Sequence, residues 1–256
     1  MAKLQDIFGT EHPVALVTGS GAKRVGNCIA LTLAARGYRL VLHANRSQAE
    51  ADETVAELRA AGGEAIALLA DLSDEAAARQ LVDAAWSHYG RLDVLVNSAA
   101  VWQGKRLEDV TAADVRHNFA VNTLGTFICS QQAGLKMVAQ RSGGAIVNIG
   151  DWSIVRPYLN YAAYFPSKGA IPTLTRDFAI ELAARNPRVR VNAVLPGPVM
   201  LPEDLPASER AAAIAGTLVK REGSPQNVAD AVVFLIENDF VTGVCLPVDG
   251  GRTVCP

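Results

Sequence analysis

Seven short aliphatic runs recur along the chain, and longer amphipathic segments separate them. The runs are "PVALVTG", "YRLVLHA", "EAIALLAD", "LDVLVNS", "GAIVNIG", "VRVNAVLPG" and "GVCLPVDGG". Their length and β-branched content predict strands, and their nearly unbroken apolar character predicts burial on both faces of a sheet. Between them, "SQAEADETVAELRAAGG" reads as a helix closed by a glycine pair, and "SDEAAARQLVDAAWSHYG" as another, with Ser73 as its N-cap. Strand and helix in this rhythm build right-handed βαβ units on a parallel sheet. No repeat, low-complexity tract or linker interrupts the pattern. The expectation is a single doubly wound α/β domain over residues 1–256, with a seven-stranded parallel sheet flanked by helices.

Composition narrows the function classes. Half of the 256 residues are apolar, and 24 basic against 26 acidic residues leave a net charge of −2 without blocks of one sign. That balance offers no basic footprint for nucleic acid or an anionic membrane surface. The four cysteines are scattered and form no Cys/His cluster with metal-ligand spacing, so small buried thiols in a reducing compartment are expected. No leader-like or membrane-spanning run is present, and a cytoplasmic protein is expected.

The first strand runs into "TGSGAKRVG". Glycines at 19, 21 and 26 let the backbone turn tightly and approach a pyrophosphate at a helix N-terminus. A glycine-rich turn alone is weak, but its place after the first strand of a βαβ unit points to a dinucleotide site of the Rossmann type. The second strand ends in "VLHANRS", where an acidic residue would pair with a free ribose 2′-hydroxyl. None is there. Arg46 and Ser47 offer a guanidinium fork and a hydroxyl instead, and Lys23 and Arg24 add positive charge, which suits a 2′-phosphate and hence NADPH.

Tyr164 and Lys168 stand four apart after the fifth strand, on one face of a helix. An ammonium nearby would lower the phenol from its usual ~10 and make it a proton donor near neutrality. With these residues the whole chain resembles a short-chain dehydrogenase/reductase, through "TGSGAKRVG", Asp71 in "ADLSD", "VNSAA", Asn122 in "AVNTLG", "YFPSK" and "LPGPV". The resemblance implies that Tyr164 is the general acid, Lys168 the ribose-binding residue that tunes it, and Asn122 the holder of a proton-relay water. It further implies an adenine site at Asp71 and Leu72, cofactor contacts along Asn97, Ser98 and Ala99, and a nicotinamide cap at Pro196, Gly197 and Val199. Val25 and Asn45 complete the cofactor-binding set with Gly19, Lys23, Arg24, Gly26, Arg46 and Ser47.

Within that family the sequence resembles the pteridine reductases and dihydromonapterin reductases. The shared features are Arg24 in "AKRVG", the His-x-x-Arg-Ser of "HANRS", and Asp151 where other members carry serine. Tyr161 precedes the catalytic tyrosine by three residues, Trp102 follows the fourth-strand motif, and "LPEDLP" resembles the substrate loop. The resemblance implies a substrate site of Arg24, Trp102, Asp151, Tyr161 and Tyr164, with the Trp102 face stacked on a pterin opposite the nicotinamide. A carboxyl group sharing a proton with Tyr164 could serve a ring nitrogen, or Asp151 could pair with the 2-amino-pyrimidine edge.

Alternatives stay open. Trp102 also fits a core or subunit contact, Tyr161 helix packing, and Ser153 the family's hydroxyl in a shifted register. His43 reads as structural, and His88 and His117 as helix-surface residues. The Gly19–Gly26 turn is one residue longer than the resembled pattern and must bulge. Pro166 and Pro172 interrupt the catalytic helix, the second with a kink. Other functions to weigh are reduction of ketones, sugars or 3-oxoacyl thioesters, and a non-catalytic NADPH sensor. A homotetramer is expected from the resemblance.

Overall fold

The computed structural model describes residues 4–255. Its strands are β1 (Val14–Thr18), β2 (Arg39–Ala44), β3 (Ala65–Leu69), β4 (Val94–Asn97), β5 (Gly144–Ile149), β6 (Val189–Pro196) and β7 (Cys245–Val248). All seven anticipated runs form strands. They make one parallel sheet in the order β3-β2-β1-β4-β5-β6-β7. The order reverses between β1 and β4, which opens a crevice at the carboxyl ends of these two strands.

The central strands are mostly apolar because alternate residues feed two separate cores. Ala15 and Val17 of β1 join Val94 and Val96 of β4 on one face. Val14, Leu16 and Leu95 point to the other. The first face carries α1 (Leu4–Phe8), α2 (Val25–Ala34) and α3 (Gln48–Ala60); the second carries α4 (Glu75–Tyr89). A short α5 (Ala112–Asn118) passes through a π-helical turn, Phe119–Gly125, into α6 (Thr126–Ala139), which covers the second face. After β5 come α7 (Tyr164–Gly169) and α8 (Ile171–Ala183); α9 (Ala207–Ala215) and α10 (Pro225–Glu237) follow β6. Leu16, Leu40, Leu42 and Leu95 are wholly enclosed. Truncating any one of them to alanine should cost about 2–5 kcal/mol.

Three local expectations are corrected. The N-cap of α4 is Asp74, whose carboxylate accepts from the Ala77 N–H at 2.8 Å. Ser73 instead donates its N–H and O–H to Asp71, two residues back. Pro172 produces no kink inside a helix: the chain divides into α7 and α8, and Pro172 occupies the first turn of α8, where no amide donor is needed. Tyr161 lies in the turn before α7, and its carbonyl accepts from the N–H groups of Tyr164 and Phe165.

Candidate active site

Thr18 ends β1 beside the crevice, and its hydroxyl oxygen accepts from Ser98 N–H at 3.0 Å and Ala99 N–H at 3.1 Å. Gly19 follows with φ +66°, and a Cβ there would lie 2.7 Å from the Ala99 Cα. A Cβ on Gly26 would lie 2.5 Å from the Gly19 carbonyl oxygen. Both positions therefore need glycine for backbone to pass backbone. The longer turn is accommodated on β2, where the His43 carbonyl accepts from both Ser20 N–H and Gly21 N–H. The His43 ring braces the same loop: Nδ1 accepts from Gly19 N–H at 3.1 Å, so Nε2 carries the proton and donates to the Ala70 carbonyl at 3.0 Å. Burial holds this imidazole below its ordinary value, in keeping with the neutral tautomer.

At the end of β2, Arg46 is exposed beside Asn45 and Ser47, and among the described residues no carboxylate lies within ion-pair distance of it. Arg24, the residue before α2, is likewise exposed and makes no ion pair among the described residues, and no side chain caps that helix. Lys23 differs from expectation. It lies 3.8 Å from both Glu53 and Glu57 of α3, which balance its charge. Asp71 is held below the usual carboxylate range by the Ser73 hydroxyl and N–H, with Arg46 adding to the effect. Leu72 is buried against Gly125, and Val25 packs at the rim of the first core. Asn97 donates to Ser130 and Asn148, both at 2.9 Å, which fixes the end of β4. Across the crevice Pro196 ends β6. The Gly197 N–H donates to the Val248 carbonyl, and Val199 bridges to Gly223. An open helix N-terminus, a turn that tolerates no Cβ, and two exposed guanidiniums fit a dinucleotide bearing a 2′-phosphate.

The reacting groups gather between β5 and α7. Tyr164 donates its hydroxyl to Oδ2 of Asp151 at 2.8 Å. The other carboxylate oxygen, Oδ1, accepts from the Ser153 N–H at 2.9 Å and its O–H at 2.5 Å. Ser153 is thus the anchor of Asp151, and Asp151 holds the register expected for the acid partner. Lys168 is buried and donates to the Ile149 carbonyl at 2.8 Å. Burial pulls its ammonium down to about 8, with the Asp151 charge opposing.

The expected tuning of Tyr164 is corrected here. No hydrogen bond joins Lys168 to Tyr164, and the phenol stands well above its ordinary value. Burial is the first cause; the Asp151 charge and the hydrogen bond to it follow. Asn122 has its side-chain amide engaged within the protein. Oδ1 accepts from Val101 N–H at 2.8 Å, and Nδ2 donates to the Val101 carbonyl and Ser167 Oγ, both at 3.0 Å. The residue clasps the segment after β4 to α7.

An aromatic group lines the approach to Tyr164. Trp102 stacks on Tyr161, with ring centroids 5.0 Å apart and planes 13° apart. Tyr158 meets Tyr161 and Phe165 edge-on and stacks on Trp152 at 6.3 Å. Trp102 remains 45% exposed, so one broad indole face is open to a ligand. Arg252, unmarked in the sequence reading, lies over the Trp152 ring at 5.1 Å. No local pattern signals it, because the two residues are a hundred positions apart. The D-x-S spacing of Asp151 and Ser153, by contrast, is a recognisable turn-forming pair. Among the described residues no His/Cys/Asp/Glu cluster could hold a metal ion, and no helix is long and apolar enough to cross a membrane.

Residues 21–253 match the family model described as "Enoyl-(Acyl carrier protein) reductase". Pteridine reductase 1 of Leishmania tarentolae is 36% identical over 94% of this chain and 96% of its own length. The 3-oxoacyl-[acyl-carrier-protein] reductase of Synechocystis sp. is 34% identical over 94% and 97%. Among solved structures, a blue fluorescent protein from a metagenomic library in complex with NADPH superposes with a TM-score of 0.87. It is 34% identical, covering 94% of this chain and 98% of that one. A parallel sheet with this strand order, a glycine turn at its switch point, a Tyr-x-x-x-Lys pair behind β5 and full-length kinship to such reductases have one reading: the chain belongs to the short-chain dehydrogenase/reductase family.

Proposed function

We propose that this enzyme reduces dihydropterins to tetrahydropterins with NADPH, in the cytoplasm. The observation that carries the reading is the hydrogen bond from the Tyr164 hydroxyl to the Asp151 carboxylate at 2.8 Å. A simple ketone needs one proton on oxygen, and a lone phenol supplies it. A pterin needs its proton on a ring nitrogen next to the carbon that is reduced, and it carries N–H groups that seek a carboxylate acceptor.

The cofactor supplies the hydride. Arg46 and Ser47 would hold its 2′-phosphate, and Arg24 with the open end of α2 its pyrophosphate. Asp71 and Leu72 would flank the adenine, and Pro196, Gly197 and Val199 would border the nicotinamide. Lys168, fixed on the Ile149 carbonyl, would reach the ribose. Tyr164 keeps its proton through neutrality because burial and Asp151 raise it, so it enters the reaction as the donor. Asp151, fixed by two donors from Ser153, takes part in the same proton exchange and faces the ring nitrogens. Asn122 holds the wall of the site through Val101 and Ser167, and a relay through its side-chain amide is not part of this scheme. Trp102 offers the exposed indole face on which a flat pterin would stack.

A second reading, reduction of a flat ketone or a 3-oxoacyl thioester, gains from the Trp102–Tyr161 stack. It suits any planar ring and already covers one face of the indole. A non-catalytic sensor is disfavoured by the intact Tyr164 and Lys168. The test is NADPH oxidation with 7,8-dihydrobiopterin, dihydromonapterin and a ketone panel. Turnover of a dihydropterin at least about tenfold more efficient than that of any ketone supports the first reading. Turnover of ketones alone refutes it.

A further inference from the structure

α9 is only lightly anchored by apolar side chains, Ala213 and Ile214 being half-buried. None of its residues, Ala207–Ala215, is buried. A nine-residue helix is marginal by itself, and polar fasteners add to that light packing. Two arginines do so. Arg210, in α9, pairs with Glu222 at 2.6 Å and donates to the Pro202 carbonyl at 2.8 Å and the Leu201 carbonyl at 3.3 Å. This gathers the loop before α9 onto the helix but ties it to nothing near the reacting groups.

Arg252 makes that connection. Its Nη1 donates to the Ala213 carbonyl at 2.9 Å and the Ala212 carbonyl at 3.2 Å, in the last turn of α9. The Ala212 carbonyl also accepts from the Gly216 N–H at 3.1 Å, so Arg252 adds a second donor at the helix end, where the dipole favours a cation. The same guanidinium rests on the Trp152 ring at 5.1 Å, a cation–π contact. Trp152 directly follows Asp151 and stacks on Tyr158. The turn that carries Arg252 is itself fixed, since Asp249 accepts from Gly251 N–H and Thr253 N–H, and Arg156 donates to the Arg252 carbonyl at 3.4 Å. The last turn of α9 is thus joined to Trp152 through one guanidinium.

We propose that Arg252 is a positioning residue, fastening α9 to Trp152 and so setting how closely that helix closes over a substrate at Asp151 and Tyr164. Only the placement of the substrate rests on the reductase reading; the fastening stands on its own contacts. Without Arg252 the helix keeps the Arg210–Glu222 pair yet loses its link to the floor of the site. The chemistry at Tyr164 is untouched, whereas the substrate loses a fitted wall.

The experiment pairs amide hydrogen exchange on the ligand-free protein with steady-state kinetics, for wild type, Arg252→Ala and Arg252→Lys. Exchange over residues 207–216 should rise about tenfold in Arg252→Ala, the scale of one lost charge-on-dipole contact with its cation–π partner. β5, β6 and α10 should be unchanged. With 7,8-dihydrobiopterin and NADPH, KM should rise by a similar factor while kcat stays within about twofold. Arg252→Lys, which keeps the charge but not the planar fork, should fall between the two. Unchanged exchange in α9, or exchange raised evenly along the chain, would overturn the proposal. If Arg252→Ala does not fold, Arg252→Lys decides it, and wild-type exchange in α9 of that variant is the refuting result. Failure of the dihydropterin to turn over would count against the substrate reading and leave the exchange result standing.

Discussion

Lys168→Met is the substitution whose effect follows most directly from the site. Lys168 is 3% exposed, and among the described residues its ammonium donates to the Ile149 carbonyl alone. Burial lowers it from 10.5 to about 8. Below pH ~8 the folded and unfolded chains both carry the proton, and the folded state bears the whole cost of enclosing the charge. Between about 8 and 10.5 the folded chain releases its proton first and the unfolded chain still binds it. Stability therefore rises with pH across that window. At roughly 1.4 kcal/mol per pH unit, the contribution grows by about 2 kcal/mol from pH ~7 to pH ~9.5. Methionine fills a similar volume and does not titrate, and its loss of the Ile149 contact is independent of pH. Urea unfolding of both proteins, followed by far-UV circular dichroism at those two pH values, isolates the term as a difference of differences. Wild type should gain about 2 kcal/mol on Lys168→Met over that interval. A gap constant within about 0.5 kcal/mol would refute the claim that Lys168 is a charge enclosed at a cost.

Three further outcomes are expected. Arg46→Asp should weaken NADPH use, read as kcat/KM, by at least about tenfold more than NADH use, and equal efficiency of the unmodified enzyme with both cofactors would contradict the 2′-phosphate assignment. Gly26→Ala should lower NADPH affinity by about tenfold or more in a fluorescence titration. The added methyl would sit 2.5 Å from the Gly19 carbonyl oxygen, backbone that cannot step aside, and an unchanged Kd would show that the turn is not the cradle. Light scattering should return a homotetramer, since Leu135 of α6 and Ile180 of α8 present apolar side chains to solvent, and a monomer at micromolar concentration would refute this.

Most of the strands were legible because β1, β2, β4, β5 and β6 each supply both cores, which leaves long apolar runs that admit few other readings. The glycine turn and the Tyr164–Lys168 pair were legible for a similar reason: chemistry and backbone geometry both restrict those positions. What escaped the sequence was decided by neighbours distant along the chain. Nothing in "HANRS" says that the His43 ring would accept from Gly19 N–H, although the residue could be read as structural. The local sequence around Lys23 does not reveal that Glu53 and Glu57 would face it from α3. The direction of the Tyr164 shift was missed because helical spacing suggested an ammonium beside the phenol, whereas the nearest charge is a carboxylate thirteen residues earlier. Ser73 lost the cap of α4 to Asp74 by one position, a difference within the usual blur of helix ends.

The central claim is that the carboxylate of Asp151 takes part in moving a proton to a pterin nitrogen. Asp151→Ser restores a hydroxyl at that position and keeps a hydrogen-bond partner for Tyr164. The deciding measurement is kcat/KM for 7,8-dihydrobiopterin and for an activated ketone, in wild type and Asp151→Ser, with Tyr164→Phe as the control that should abolish both. Dihydropterin turnover should fall by on the order of 10² or more, the usual scale of general acid–base assistance, while ketone turnover is retained or raised. Equal losses on the two substrates would contradict the account and leave Asp151 as a group that only positions its neighbours.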